Sequence, residues 1–382
     1  MGNRRADDVT AHVSELSALI AYPLRTRFGP LPRWAKLPHN RGLPWHPPPE
    51  NARMTRRPFR AVAGALLLSV ALLPMAATAQ ALDRIVFATD WLAQAEHGGF
   101  YQAVAEGTYR KHGLDVTIRQ GGPQVNGLQL LAAGQIDVAM GDALQALSAV
   151  EQGVPVVAVA ATFQKNPTVL ISHPGATKIE DLKGRPIAIG AAANTTFWPW
   201  LKQRYGFSDS QKRPYAFSVQ PFLADPTLAQ QGFVTSEPFS IEKAGVKPSV
   251  FLLANLGYPP YSQALIVTRS TLERRRDVLV RFMRASAEGW KSYLANPAPG
   301  NALIRKDNPQ MGDELLAYGW RKMKDFALVD AGDAMKSGYL TMTDARWQAT
   351  VEFLKNAGLA KTGTDYTRAW TLDLVKDVRV LP

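Results

Sequence analysis

The 382-residue sequence contains no cysteine. That excludes disulfides, zinc–thiolate and iron–sulfur centres, thiol nucleophiles and the lipidated cysteine of a lipoprotein anchor. Histidine is scarce: of six in the chain, only His97, His112 and His173 follow residue 81. The patterns H-E-x-x-H, G-x-S-x-G and G-x-x-x-x-G-K are missing, so nothing points to zinc-protease, hydrolase-elbow or phosphate-loop chemistry. A dispersed triad or carboxylate pair is still compatible with the sequence. Long apolar runs are missing too. The longest, Ala61 to Leu73, has about 13 residues where a membrane span needs roughly 20.

Basic residues exceed acidic ones, 44 against 32, a net +12 that would suit an anionic partner. The excess is uneven. Residues 1–81 hold 11 basic and 4 acidic residues, or +7, which leaves 33 against 28, or +5, for the remainder. Residues 1–53 carry eight prolines, Pro47-Pro48-Pro49 among them, and no apolar period, so they are expected to be an unstructured or non-native extension. From Met54 the order is Arg56-Arg57, the apolar run, Pro74, and small residues through Ala79-Gln80-Ala81. This is the layout of a secretory signal over residues 54–81 with cleavage near Ala79 or Ala81, and the arginine pair also resembles a twin-arginine signal. The basic character then belongs mostly to a removed segment. The expectation is a periplasmic protein with no nucleic-acid partner.

From Asp83 the chain alternates extended and helical patterns. Strands are expected at Arg84–Ala88, Asp115–Arg119, Asp137–Met140 and Val156–Ala161, with helices at Gly99–Lys111, Val125–Ala133 and Leu144–Gln152 between them. That alternation predicts an α/β fold with a largely parallel sheet. A middle segment repeats the alternation, with strands at Pro186–Gly190, Ala216–Val219, Gly232–Thr235 and Ser249–Leu253, and helices near Thr195 and Pro226–Gln231. The apolar runs Thr168–Ser172 and Ala264–Thr268 bracket it and are read as two hinge crossings. The expected organisation is therefore a two-lobe clamshell, lobe 1 from residues 83–171 plus 265–382 and lobe 2 from 172–264. After Thr268, Val278, Leu279, Phe282, Met283, Trp290 and Leu294 recur at helical spacing, which predicts core-facing helices.

Several phrases together carry a resemblance: Asp90-Trp91, His97-Gly98-Gly99-Phe100-Tyr101, Lys111 to Val116, Gly134 to Ala139, and Glu180 to Arg185. In this order they resemble the solute-binding proteins of ABC importers in the thiamine-pyrimidine and sulfonate/nitrate group, over roughly Ile85 to Ala295. The resemblance implies a hinged, monomeric periplasmic receptor without cofactor or metal, which closes on a small molecule and delivers it to a membrane permease and ATPase.

Ligands of open α/β sheets bind beyond the carboxyl ends of the strands, which marks the candidate contacts. Asp90 can accept from a ring amine and Trp91 can stack on a flat face or pack between lobes. His97 can donate to ligand or cap a helix, while Gly98 and Gly99 permit close backbone approach. Gly141, Phe163 and Gln164 follow strands, and Asp142 serves either ligand or the next helix as its cap. Asn194, Thr195 and Thr196 precede a helix whose free N–H groups suit an anion, unless a threonine caps it. Trp198 and Glu237 complete the set. This aromatic and acidic content favours a heteroaromatic or amine-bearing solute, such as a thiamine pyrimidine precursor, over nitrate, sulfonate or taurine-like anions.

Two other classes compete. A resemblance to the pyrimidine synthase that consumes its own histidine would place that histidine at Gln145 and the cofactor lysine near Gly141, so its chemistry has no means here. A sensor that reports ligand to a membrane receptor needs the same clamshell, and the sequence leaves it open.

Overall fold

The computed structural model describes residues 81–122, 125–215 and 217–382. The expected extension and signal, residues 1–80, lie outside the described residues. Ten strands form two five-stranded sheets. In the first, β1 (Asp83–Ala88), β2 (Leu114–Arg119), β3 (Val138–Gly141), β4 (Val156–Phe163) and β10 (Ser262–Thr268) take the order β2-β1-β3-β10-β4. In the second, β5 (Thr168–Ser172), β6 (Ile187–Ile189), β7 (Lys212–Pro214), β8 (Ala229–Phe233) and β9 (Ser249–Leu252) take the order β7-β6-β8-β5-β9.

Each sheet is mixed rather than largely parallel. Strand β10 runs antiparallel to β3 and β4, and β5 antiparallel to β8 and β9. The reason is topological. A chain that leaves the first sheet through β4 and comes back through β10 re-enters from the cleft side, which reverses β10. The two apolar runs expected as hinge crossings are themselves these strands, since each fills the interior of a sheet and is buried there. The chain crosses between sheets just outside them, over residues 164–167 and 253–261.

Other local expectations are corrected. The helix expected over Gly99–Lys111 is two, Gly98–Ala105 and Thr108–Lys111, broken at Gly107, whose φ of 67° suits glycine. The helix expected near Pro226–Gln231 is replaced by β8, with a short helix earlier at Gln220–Ala224. Residues 217–219 are not a strand; β7 ends before them.

The carboxyl-terminal helices cover the first sheet as their apolar spacing predicts. Val278, Leu279, Phe282, Met283, Trp290 and Leu294 of helix Arg276–Ala295 are all buried. This helix meets helix Gly98–Ala105 at very short range. A Cβ added to Gly289 would lie 2.3 Å from the Gly99 carbonyl oxygen and 2.7 Å from Ala103 Cβ, so a side chain larger than hydrogen is excluded at Gly289. The last residues guard an exposed edge. Trp370 bridges to Ala158 of edge strand β4 and stacks on Trp347, centroids 5.1 Å apart.

The crossings are joined by the Asn166 amide, which donates to the Pro260 carbonyl at 3.4 Å, and by a buried cation. Arg346, in helix Asp344–Asn356, donates through Nη1 to the Gln164 carbonyl and through Nε to the Pro259 carbonyl at 2.8 Å. Its guanidinium lies over the Tyr261 ring, 4.0 Å from the centroid. Burial holds its pKa below the usual arginine value.

Candidate functional site

A cleft of about 780 Å³ opens where the strand ends of the first lobe face the second, within the range of small-molecule sites. Its polar lining includes Asp90, Asn126, Asp142, Gln145, Thr195 and Thr196, and Leu354 and Leu359 add apolar surface. Four expected residues thus meet in one cavity from both lobes: Asp90 after β1, Asp142 after β3, and Thr195 and Thr196 after β6. Asn126 and Gln145 are additions. Both sit at helix starts, where their spacing reads as capping.

Asp90 is held from behind. His97 Nε2 lies 2.9 Å from Asp90 Oδ1, and the imidazole has no solvent exposure. A carboxylate only accepts, so Nε2 carries the proton and donates. The expectation that His97 reaches ligand or caps a helix is corrected, for it makes no capping bond and orients the carboxylate. The order is cleft, then Asp90, then His97, which presents an acceptor to solute and withdraws the imidazole.

Asp142 caps the next helix, one of the two roles considered for it. Its Oδ1 accepts from Gln145 N at 2.8 Å while Gln145 Oε1 accepts from Asp142 N, a reciprocal box at the start of helix Ala143–Glu151. It also lines the cleft. Burial pushes its pKa up to about 6, the backbone bonds act against this, and Asp90 adds to the rise. Gly141 leaves room for the box: a Cβ there would lie 2.6 Å from Gln145 Oε1.

Aromatic side chains close one flank of the strand ends. Half-buried Trp91 of the first lobe lies 5.2 Å from Phe217 of the second, and Phe217 is 5.2 Å from Tyr215. Phe217 is 59% exposed and has φ of 54°. Its signal in the sequence was an aromatic pair beside Pro214, masked by being read as part of a strand.

The remaining expected residues serve elsewhere. A Cβ on Gly98 would fall 2.1 Å from the Tyr293 ring and one on Gly99 2.2 Å from the Trp290 ring, so these glycines permit helix packing and not ligand approach. Phe163 is fully buried against Trp290, and Trp198 is buried with Nε1 donating to Asp209 at 2.9 Å. Gln164 belongs to the first crossing, its amide donating to the Thr341 carbonyl at 2.9 Å. Asn194 lies in an outer groove, where it accepts from Lys212 at 2.9 Å. Glu237 is consumed within its lobe, accepting from Tyr215 Oη at 2.9 Å and from Phe233 N and Ser236 Oγ at 2.7 Å. Thr195 and Thr196 both donate to the Ala192 carbonyl, and neither caps helix Phe197–Tyr205.

Two α/β sheets joined by two crossings, with a cleft at their facing ends, define the two-lobed fold of the periplasmic binding proteins. The periplasmic aliphatic sulphonate binding protein SsuA of Escherichia coli superposes with a TM-score of 0.57 at 14% identity, over 75% of this chain and 91% of that one. The family described as NMT1/THI5 like matches residues 94–299, and the chain belongs to it. The riboflavin-binding protein RibY of Chloroflexus aurantiacus is 25% identical over 308 residues, 77% of this chain and 86% of that protein. A formylaminopyrimidine-binding protein of Halalkalibacterium halodurans is 23% identical over 228 residues, 57% of this chain and 68% of that protein.

Proposed function

We propose that this chain is the periplasmic solute-binding component of an ABC importer, and that its cleft captures a small heteroaromatic or amine-bearing molecule for delivery to a permease. The observation that carries the reading is Asp90, a carboxylate facing the cleft and fixed by a buried histidine behind it. Such a group accepts from a ring N–H or exocyclic amine without reorganising. A second carboxyl, Asp142, lines the same cleft, and two acidic groups there disfavour nitrate or a sulfonate. Trp91 and Phe217 pack on each other, centroids 5.2 Å apart, outside the residues that line this cleft.

Two relatives bear names of ring compounds, riboflavin and formylaminopyrimidine, which agrees with that chemistry. The fold alone does not separate binding from catalysis. Binding is favoured by the order of the Asp90–His97 pair, which keeps the imidazole off the solute, and by Gln145, whose amide is engaged in a helix cap where the synthase would carry its histidine. The test is a thermal-shift and tryptophan-fluorescence screen of the refolded chain against aminopyrimidines, riboflavin, sulfonates and nitrate. Stabilisation by ring compounds is expected. Stabilisation by sulfonates or nitrate alone would overturn the cargo while leaving the fold untouched.

A further inference from the structure

A side-chain amide shows a solute a donor or an acceptor according to which of its two ends the protein has already used. Two amides of the cleft are settled in this way. Asn126 Oδ1 accepts from Gln129 N at 3.1 Å, and Gln145 Oε1 accepts from Asp142 N at 3.2 Å. A backbone N–H holds each oxygen, so the amide NH₂ is the end left over, and neither nitrogen has a partner among the described residues. Both residues are exposed and both line the cleft. Gln129 lines it too, but no bond among the described residues fixes the amide of that side chain.

The two settled amides belong to one wall. A Cβ on Gly127, the residue after Asn126, would lie 3.8 Å from the Met140 carbonyl oxygen, which sets the start of helix Gly127–Ala132 against the end of β3. Asp142 and Gln145 follow directly from that strand end, so Asn126 and Gln145 flank it. Other fixed groups of the cleft have the opposite sense. Asp90 accepts, held by His97 at 2.9 Å. The hydroxyl hydrogens of Thr195 and Thr196 are spent on the Ala192 carbonyl, which leaves these two residues their lone pairs.

We propose that Asn126 and Gln145 are specificity-determining residues of this cleft, a donor pair that reads an acceptor oxygen on the solute while Asp90, Thr195 and Thr196 read its amine. The class selected is a ring that carries both an amino and an oxo group. A ring amine without the oxygen leaves the two NH₂ groups facing nothing that accepts, and a desolvated donor without a partner costs affinity. A sulfonate meets the donor pair but sets its remaining oxygens against acceptors. The inference rests on the reading of the cleft as a solute site.

The test compares cytosine, which carries an amino and an oxo group, with 4-aminopyrimidine, which keeps the amine and lacks the oxygen; both are uncharged at mildly alkaline pH. Calorimetric affinities are measured for the full chain and for Gln145→Glu and Asn126→Asp. Each substitution keeps the capping oxygen and replaces the NH₂ with a second acceptor, so melting midpoints are expected to stay within about 2 °C. The unmodified chain is expected to prefer cytosine by about tenfold or more, and each variant to weaken cytosine about tenfold while 4-aminopyrimidine changes less than about threefold. A preference that persists in both variants, or equal affinities in the unmodified chain, would overturn the proposal. So would equal weakening of the two probes, the sign of a structural or purely electrostatic role. Riboflavin, whose rings carry oxo groups, and ethanesulfonate are titrated alongside. If riboflavin alone binds, weakening in both variants supports the donor pair and unchanged affinity overturns it. Binding of ethanesulfonate alone refutes the heteroaromatic cargo; the donor pair then stands if the uncharged Asn126→Ser, which keeps a capping oxygen without the NH₂, weakens it, and falls if affinity is unchanged. Binding of no probe overturns both readings.

Discussion

Replacing Arg346 by methionine tests how the hinge is held. In the structure one guanidinium joins the first crossing, through Gln164, to the second, through Pro259, and stacks on Tyr261. Hydrogen bonds to a charged group contribute about 1.5–3 kcal/mol each, so two contribute about 3–6 kcal/mol. A desolvated cation–π contact adds about 2 kcal/mol. Against this, methionine removes a buried charge, whose desolvation costs several kcal/mol. The net loss is expected to be about 3 kcal/mol, which at about 2 °C per kcal/mol lowers the melting midpoint by about 6 °C. The crossings then stay linked through the long Asn166–Pro260 hydrogen bond, a weaker tie that allows them to move more independently. The cysteine-free chain permits spin labels at Arg110→Cys in the first lobe and Glu180→Cys in the second, both exposed. Pulsed electron resonance should then show a broader inter-lobe distance distribution in the methionine variant. An unchanged distribution with a midpoint within 2 °C would refute the claim that Arg346 fixes the hinge.

Gly99→Ala places a methyl group 2.2 Å from the Trp290 ring, so it should lower the melting midpoint by about 6 °C, the upper end of overpacking costs, with unchanged affinity in the folded fraction; weaker binding at an unchanged midpoint would return the glycine to the site. For Asp142 the folded pKa is raised to about 6 from the ordinary 3.8, so the folded state holds the extra proton between these values. Its contribution is then most favourable below about pH 4 and is lost as pH rises through 6. Asparagine caps a helix about as well, so the midpoint of Asp142→Asn relative to the unmodified chain should climb by a few degrees between pH 4 and pH 7, as followed by calorimetric melting.

The alternation of strands and helices was legible because each element carries its own period, and the two-lobed α/β fold follows from that. The crossings were misplaced because Thr168–Ser172 and Ala264–Thr268 are apolar runs, and an apolar run reads alike whether it links two sheets or fills one. What decides is pairing with strands distant in sequence, such as β8 and β9 around β5. The same distance effect misled the reading of Gly98 and Gly99, whose partners Tyr293 and Trp290 lie some 190 residues on. Asp90 and Asp142 were legible because a strand end fixes their position. Nothing local showed that Glu237 is taken up by Tyr215, or that His97 turns toward Asp90 rather than the solute.

The most direct measurement is calorimetric titration of the refolded chain and its Asp90→Asn variant with an aminopyrimidine, riboflavin and an alkanesulfonate. Saturable one-to-one binding of a ring compound, weakened at least tenfold in Asp90→Asn, is the expected result. Binding of the sulfonate alone, with equal affinity in both proteins, would contradict the account.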